Sequence, residues 1–130
     1  MLMLFEQLRR VKAFVFDVDG VLTDGRLLVT EQGEQLRTFN IKDGYALQLA
    51  VKRGYPVAVI TGGGSMGVRK RLEGLGVTEV FLDVKNKASV LREWASAKSL
   101  FLEEVLYMGD DLPDLENMKL AGIPVCPADA

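Results

Sequence analysis

The sequence contains no histidine among its 130 residues and only one cysteine, Cys126. Without histidine the chain lacks the commonest general base and a frequent metal ligand, which excludes the usual catalytic triads and most zinc sites. A single cysteine excludes an internal disulfide and paired-cysteine metal or redox motifs. We interpret Cys126 as a small, buried apolar residue. Any chemistry must therefore use carboxylates, hydroxyls, lysines and a metal that prefers oxygen ligands.

The chain also lacks a strong excess of charge and a long apolar run at its start. It has 16 basic and 18 acidic residues and a net charge of -2, so no basic field attracts nucleic acid or an anionic membrane. Its first residues, MLMLFEQLRR, are too short and too soon charged for a signal peptide or a membrane span. We expect a cytoplasmic protein that binds neither nucleic acid nor a membrane. The length suits a single domain over residues 1–130.

Short apolar runs alternate with helical patterns along most of the chain. The runs at 11–16, 56–61, 79–84, 104–109 and 123–126 predict strands, most of them buried. A helix is predicted over 44–53, and others follow from the apolar faces of Val68, Leu72 and Leu75, of Val90, Leu91, Trp94 and Ala95, and of Leu115 and Met118. Ser65 and Asn86 are candidate N-caps. This alternation predicts an α/β fold with a doubly wound, mostly parallel sheet and helices on both faces.

One segment breaks this alternation. Residues 25–40, GRLLVTEQGEQLRTFN, contain two β-prone runs around TEQGEQ. They predict a hairpin flap with arms of about seven residues that turns near Gly33. A lone two-stranded hairpin is marginal in water, and this one offers Leu27, Val29, Leu36 and Phe39 for burial. We therefore expect the flap to pack against copies of itself.

Acidic and polar residues follow three of the predicted strands. Asp17, Asp19 and Asp24 fall within eight residues after the first strand, Thr61 begins a run with Gly62, Gly63 and Gly64 after the second, and Asp110, Asp111 and Asp114 follow the fourth. In a parallel sheet these strand ends face one crevice. Clustered carboxylates repel one another unless a cation lies between them. A set of oxygen ligands without histidine or thiolate favours Mg²⁺.

The same crevice contains groups that suit a phosphoryl ligand. Thr61 offers a hydroxyl, the glycines after it expose N–H groups, and the helix that begins near Ser65 points its positive end the same way. Lys87, at the start of another helix, could supply a cation. Each feature alone is also typical of an ordinary turn, helix cap or surface lysine, but their joint order on successive strand ends favours a phosphoryl-transfer site.

That order resembles the haloacid dehalogenase superfamily. The first motif of the superfamily, DxDG, is matched by residues 17–20; the second by Thr61 in VITG; the third by Lys87 in VKNKASVL; and the fourth, GDDxxD, by residues 109–114. The longer DVDGVLTDG, the FNIKDG after it and the final ADA look more specifically like the group of 3-deoxy-D-manno-octulosonate 8-phosphate phosphatases. In place of the Arg that members often have after the Thr-Gly pair, this chain has Gly63.

The resemblance implies a mechanism and a set of roles. Asp17 would attack phosphorus and form an aspartyl phosphate, and Asp19 would act as general acid and then general base. Mg²⁺ would be held by the Asp17 carboxylate, the Asp19 carbonyl and Asp110. Thr61, Gly62 and Lys87 would bind the phosphoryl group. Asp111 and Asp114 would lie outside this first layer and hold its residues in position.

The resemblance also implies a substrate and an assembly. The substrate would be a small phosphorylated sugar acid, 3-deoxy-D-manno-octulosonate 8-phosphate, as in lipopolysaccharide biosynthesis. Neither usual insertion point has room for a separate cap domain, so hairpins from a homotetramer would close neighbouring sites. Three alternatives stay open: a phosphatase of a nine-carbon keto-sugar phosphate, a phosphoacceptor receiver domain in which Asp83 would have to serve, and a catalytically silent assembly domain.

Overall fold

The computed structural model describes residues 2–130, which form a five-stranded parallel sheet with helices on both faces and a small antiparallel hairpin. This architecture confirms the fold class predicted from the sequence. The elements in chain order are α1 (Leu2–Arg9), β1 (Ala13–Phe16), β2 (Leu28–Val29), β3 (Gln35–Leu36), α2 (Ile41–Lys52), β4 (Val57–Ile60), α3 (Met66–Gly74), β5 (Glu79–Phe81), α4 (Lys87–Ala97), β6 (Val105–Met108), α5 (Leu115–Leu120) and β7 (Ile123–Val125). Short 3₁₀ turns at Leu102–Glu104 and Leu112–Asp114 precede β6 and α5.

The strand order of the sheet identifies where a ligand should bind. The order is β5-β4-β1-β6-β7, and all neighbouring strands are parallel. Counted without the hairpin, this is the order 3-2-1-4-5, which reverses between β1 and β6. In such sheets the ligand crevice lies at that reversal, beyond the carboxyl ends of the strands. Receiver domains have the flavodoxin-like order 2-1-3-4-5, so the receiver-domain alternative is wrong.

Side chains of the central strands alternate between two cores, one on each face of the sheet. In β4, Val57 and Val59 point to one face while Ala58 and Ile60 point to the other, and all four are buried. The first core is covered by α2 and α3, and the second by α4 and α5. Each fully buried Val or Ile contributes about 1.5–3 kcal/mol relative to an exposed one. Because both of its faces are packed, the sheet holds the loops at its carboxyl edge in fixed positions.

Helix boundaries follow the capping residues. Ser65 and Asn86 cap α3 and α4 by accepting N–H bonds from Val68 and Ser89, as predicted. Helix α2 starts earlier than its predicted first residue, Gly44. Its N-cap is Asn40, whose Oδ1 accepts bonds from the N–H groups of Lys42 and Asp43 at 2.8 and 3.2 Å. The helix α1 was not expected from the sequence.

The hairpin is much shorter than predicted. Its paired strands have two residues each instead of arms of about seven. The turn lies at Gly33, whose φ of +85° favours glycine, as predicted. The second arm leaves the ladder after Leu36 because Arg37 turns to Asp19 and Phe39 packs against the core.

Two further features concern the surface. Cys126, just after β7, is exposed, so its interpretation as a buried residue is wrong. Because β7 ends at Val125, Cys126 lies beyond the edge strand, where no element covers it. None of the helices within residues 2–130 is long and apolar enough to cross a membrane.

Candidate active site

The residues singled out in the sequence line one cavity at the carboxyl edge of the sheet. The cavity has a volume of about 470 Å³. Its lining includes Asp17, Asp19, Thr61, Gly62, Lys87, Asp110, Asp111 and Asp114. Asp17 follows β1 and donates its N–H to the carbonyl of Met108 in β6 at 3.0 Å, which fixes it at the reversal of strand order. The structure therefore brings all the predicted site residues together.

The loop after β1 is a compact turn held by its own residues. The carbonyl of Val18 accepts N–H bonds from the three residues 21–23. The buried hydroxyl of Thr23 accepts N–H bonds from Gly20 and Gly25, both at 3.2 Å. These bonds explain the spacing of DVDGVLTDG, because they fold the loop back so that Asp17 and Asp19 both face the cavity. Asp24 lies outside it, with an exposed side chain that pairs with Arg26.

A buried lysine joins the acids of the first and fourth motifs. Lys87 Nζ lies 3.1 Å from Asp17 Oδ1 and 2.8 Å from Asp114 Oδ1, and the lysine side chain is 7% exposed. A cation at the first position of a helix opposes the helix dipole, at a cost of about 0.3–1 kcal/mol. Burial adds to that cost, and the two carboxylates offset it. Lys85 also lines the cavity, but its side chain is not paired within residues 2–130.

Asp114 supports this lysine from beneath the cavity. Its side chain is fully buried; one oxygen accepts bonds from Lys87 and from the hydroxyl of Tyr107, and the other accepts the N–H groups of Asp110 and Asp111. Burial alone would raise the pKa of Asp114, but these hydrogen bonds outweigh it and hold the pKa below its usual value. Asp114 is therefore a fixed anion that positions both Lys87 and the loop after β6.

Asp17 and Asp110, the two acids proposed to bind metal, have raised pKa values, in contrast to Asp114. Burial, with a smaller effect from the Asp114 charge, raises the pKa of Asp17 to about 6 despite the nearby Lys87. Desolvation and the carboxylates of Asp129 and Asp111 raise the pKa of Asp110. The negative charge of these groups is thus not fully balanced by the protein. A cation in the cavity would favour their ionised forms.

The donor set is compatible with a magnesium ion. A Cβ on Gly20 would overlap the carboxylate of Asp110, which shows that this carboxylate lies directly against the loop of the first motif. Across residues 2–130, no group of three or more acidic or cysteine side chains has the arrangement of a metal site. The ligands that the resemblance implies are fewer than this: the carboxylates of Asp17 and Asp110 and the carbonyl of Asp19. Such a small set suits Mg²⁺, which retains several waters.

The other predicted residues have defined local partners. The Thr61 hydroxyl accepts the N–H of Gly63 at 3.2 Å, so the glycine turn closes onto the threonine side chain. Gly62 lies between them on the cavity wall. Asp111 accepts the N–H of Leu112 at 2.7 Å and caps the 3₁₀ turn before α5. Asp83, the residue required by the receiver alternative, is not among the residues that line the cavity.

Sequence reasoning missed two residues that contact the site. Tyr107 reaches Asp114 from inside β6, where a strand residue pointing into the core gives no sequence signal beyond an aromatic residue in a buried run. Arg37 reaches Asp19 from the hairpin, 18 positions away. The only signal for Arg37 was a charged residue between Leu36 and Phe39, and that pattern is also typical of a solvent-facing strand position.

Comparisons with known proteins agree with the motif order. The 3-deoxy-D-manno-octulosonate 8-phosphate phosphatase KdsC of Escherichia coli (strain K12) is 36% identical over 120 residues, which cover 92% of this chain and 64% of that protein. The crystal structure of this phosphatase from Yersinia pestis is 33% identical, with a TM-score of 0.93, and the match covers 96% of this chain and 68% of that one. The chain belongs to the haloacid dehalogenase superfamily. Within it, the chain belongs to the family of 3-deoxy-D-manno-octulosonate 8-phosphate phosphatases.

Two further solved structures of the superfamily match the whole chain. A subfamily III A hydrolase of Legionella pneumophila is 35% identical with a TM-score of 0.96, and the match covers 71% of that protein. The phosphatase of Moraxella catarrhalis, solved with magnesium, phosphate and the sugar acid, is 30% identical with a TM-score of 0.95 and is covered to 75%. No family model matches the sequence. The chain spans about 64% of the length of the curated relatives that it matches.

Proposed function

We propose that the chain is a magnesium-dependent phosphatase that hydrolyses a small sugar-acid phosphate monoester, 3-deoxy-D-manno-octulosonate 8-phosphate, through an aspartyl phosphate on Asp17. The observation that carries this proposal is the position of Lys87 Nζ, 3.1 Å from Asp17 in a cavity that Thr61 and Asp110 also line. A nucleophile, a phosphate-binding cation, a hydroxyl and a metal-binding acid there meet the needs of phosphoryl transfer. The structure that contains the sugar acid, from Moraxella catarrhalis, supports the choice of substrate.

The reaction runs in two displacements at phosphorus. In the first, an oxygen of Asp17 bonds to phosphorus, the bond from phosphorus to the sugar oxygen breaks, and Asp19 gives its proton to that oxygen. In the second, Asp19 takes a proton from water, the water oxygen bonds to phosphorus, and the bond to Asp17 breaks. The products are the free sugar acid and inorganic phosphate. Asp19 suits this role because its side chain is partly exposed and borders the cavity beside Asp17.

The remaining residues of the cavity would bind the phosphoryl group or the metal ion and neutralise their charges. Lys87 and the Thr61 hydroxyl, with the N–H groups of the glycine turn, would hold the phosphoryl oxygens. Asp17, the Asp19 carbonyl and Asp110 would hold Mg²⁺, which supplies charge stabilisation for the phosphoryl group when bound. Asp114 keeps Lys87 in place through its 2.8 Å contact. The cytoplasmic location expected from the sequence stays a prediction.

A substrate comparison tests the proposed function. Wild-type protein with Mg²⁺ should release phosphate from 3-deoxy-D-manno-octulosonate 8-phosphate with a higher kcat/KM than from a nine-carbon keto-sugar phosphate or from common hexose phosphates. A preference for the nine-carbon substrate would contradict the substrate assignment and leave the reaction type standing. Absence of phosphate release from every ester, p-nitrophenyl phosphate included, would contradict the reaction type and favour the silent-domain alternative.

Replacing Asp110 by alanine should raise the magnesium requirement. The carboxylate lies against the loop of the first motif, and its removal takes away one of the two proposed carboxylate ligands. We expect the magnesium concentration for half-maximal activity to rise by about 10- to 100-fold, a typical range for disturbing a metal site. The matched control is Asp24→Ala, which removes an exposed carboxylate of the first loop that is outside the cavity. A metal titration of Asp110→Ala that coincides with wild type would count against Asp110 as a ligand.

The exposed hairpin supports a homotetramer as the functional assembly. Leu28 and Val29 are 67% and 60% exposed, and Leu27 and Leu36 add to the same apolar flap. Phe39 packs against the core of its own subunit, so it is not part of the exposed apolar surface that the sequence predicted for the flap. Hairpins from neighbouring subunits would bury these side chains and close the sites. Light scattering should give the mass of a tetramer, and Leu28→Glu should shift it towards smaller species, whereas Tyr55→Glu, at an exposed position just before β4, should not. A fully active monomer would contradict the shared closure.

A further inference from the structure

Arg37, in the hairpin segment, contacts the proposed general acid Asp19 with a largely covered side chain. Arg37 Nε lies 2.7 Å from Asp19 Oδ1, and Nη2 lies 3.4 Å from Oδ2 of the same carboxylate. The Arg37 side chain is only 9% exposed, whereas Arg26, the other arginine of the segment, is 89% exposed. Burying a guanidinium is costly unless it is paired. The Arg37–Asp19 contact is therefore a specific, largely buried ion pair and not a chance contact at the surface.

The glycine turn lies beside the space that Arg37 occupies. Nη2 of Arg37 lies 3.7 Å from the position that a Cβ on Gly63 would take. Val18, Thr61 and Ser65 complete a narrow space around the Asp19–Arg37 pair. A long side chain at position 63 would compete with the guanidinium for this space. At 3.7 Å a Cβ at position 63 would make an ordinary van der Waals contact with the guanidinium, so the glycine turn borders the Asp19–Arg37 pair directly.

The two hydrogen bonds from Arg37 constrain the orientation of the Asp19 carboxylate, which a single point charge would not do. A guanidinium bound to both oxygens of a carboxylate fixes the plane of that carboxylate as well as its place. Asp19 is otherwise held weakly, because its side chain is 42% exposed and Arg37 is the one ion-pair partner it has within residues 2–130. The orientation of Asp19 therefore depends on the hairpin.

We propose that Arg37 is a positioning residue that orients Asp19 for proton transfer to the leaving oxygen: it holds Oδ1 firmly at 2.7 Å, and Oδ2, which is 3.4 Å from Nη2 and only weakly held, carries the proton. The inference rests on the proposed function, in which Asp19 is the general acid. Arg37 itself need not touch the transferring phosphoryl group, which has Lys87 and Thr61 as partners. Loss of Arg37 should thus weaken protonation of the leaving group and leave phosphoryl binding intact.

Leaving-group dependence separates these two effects. Phenol, with a pKa of about 10, needs a proton to depart from phosphorus, whereas p-nitrophenol is a much stronger acid and departs without one. The two aryl phosphates are close in shape, so a defect in phosphoryl binding or in folding lowers both rates together. The kcat/KM value reports the first displacement alone, in which Asp19 acts as acid. Neither substrate requires the natural ester to be known.

The experiment compares kcat/KM for phenyl phosphate and p-nitrophenyl phosphate in three variants. Arg37→Gln should lose about 10- to 100-fold on phenyl phosphate, which is part of the roughly 10²- to 10⁴-fold that general acid catalysis contributes, and less than about 3-fold on p-nitrophenyl phosphate. Arg37→Lys should fall between wild type and Arg37→Gln on phenyl phosphate. Arg26→Gln, the control on the exposed arginine of the same segment, should match wild type on both substrates.

Several outcomes would overturn the proposal. Equal losses of kcat/KM on the two esters would mean that Arg37 acts in phosphoryl binding or in folding. Unchanged kcat/KM on both esters would mean that Arg37 has no role in the reaction. If Arg37→Gln does not fold, as judged by circular dichroism and thermal unfolding, the ratio of the two rates in Arg37→Lys decides the question in the same way. A wild-type protein that hydrolyses neither ester would overturn the proposed function itself, and the role of Arg37 with it.

Discussion

Replacing Asp17 by asparagine should lower turnover of p-nitrophenyl phosphate in Mg²⁺ by at least about 10⁴-fold, because the amide cannot attack phosphorus and loss of a covalent nucleophile has effects of this size. The fold should survive the change. The substitution removes a buried carboxyl group whose pKa is already raised to about 6 by burial, and Lys87 would keep its 2.8 Å contact with Asp114. Thermal unfolding should therefore show a midpoint close to that of wild type.

The control for this variant is Asp24→Asn. Asp24 belongs to the same loop but lies outside the cavity and pairs with the exposed Arg26. We expect it to retain nearly full activity. If Asp17→Asn kept activity within about tenfold of wild type while folded, Asp17 could not be the nucleophile, and the mechanism would have to start from another group.

Replacing Lys87 by methionine should lower kcat/KM by about 10²- to 10³-fold, which is the effect of removing one preorganised electrostatic group from an active site. The matched change is Lys85→Met, which alters the other lysine of the cavity and should cost less than about threefold. Lys87 contacts Asp17 and Asp114, whereas Lys85 has neither contact. Equal losses in the two variants would contradict the choice of Lys87 as the phosphate-binding lysine.

The lysine variant should also change stability. Removing one partner of a buried ion pair leaves carboxylates without their counter-ion, at a cost of about 3 kcal/mol. Chemical denaturation of Lys87→Met should report a loss of this order, and Lys85→Met should unfold like wild type. A double variant, Lys87→Met with Asp114→Asn, should recover part of the stability because it removes one of the stranded charges, but it should not recover activity.

The strands and the acidic loops were predictable because each depends on local sequence. The runs that became β1, β4, β5, β6 and β7 are short and apolar, and the parallel sheet then places the residues after β1, β4 and β6 at one edge. The caps Ser65 and Asn86 were predictable for the same reason, since a cap is a local hydrogen bond. The positions of the cavity residues follow from this topology, whereas the ion pairs of Lys87 with Asp17 and Asp114 are long-range contacts that the sequence does not indicate.

The hairpin and Arg37 were not predictable because both depend on tertiary contacts. Residues 25–40 have the β propensity for long arms, but the second arm is drawn away from its partner where Arg37 reaches Asp19 and Phe39 enters the core. These contacts join positions far apart in the chain, so neither alternation nor turn residues indicate them. Tyr107 and Asp114 are close in the chain, but their hydrogen bond was hidden because a tyrosine in an apolar strand run indicates only a core position.

The chemical trapping of the phosphorylated residue tests the central claim most directly. Wild-type protein is mixed with substrate and Mg²⁺, quenched within milliseconds, reduced with borohydride and digested, and its peptides are analysed by mass spectrometry. An aspartyl phosphate is reduced to homoserine, so the account predicts homoserine at position 17 and its absence when substrate is omitted. Homoserine at Asp83 or at another acid, or a stable phosphate on Thr61, would contradict Asp17 as the residue that receives the phosphoryl group.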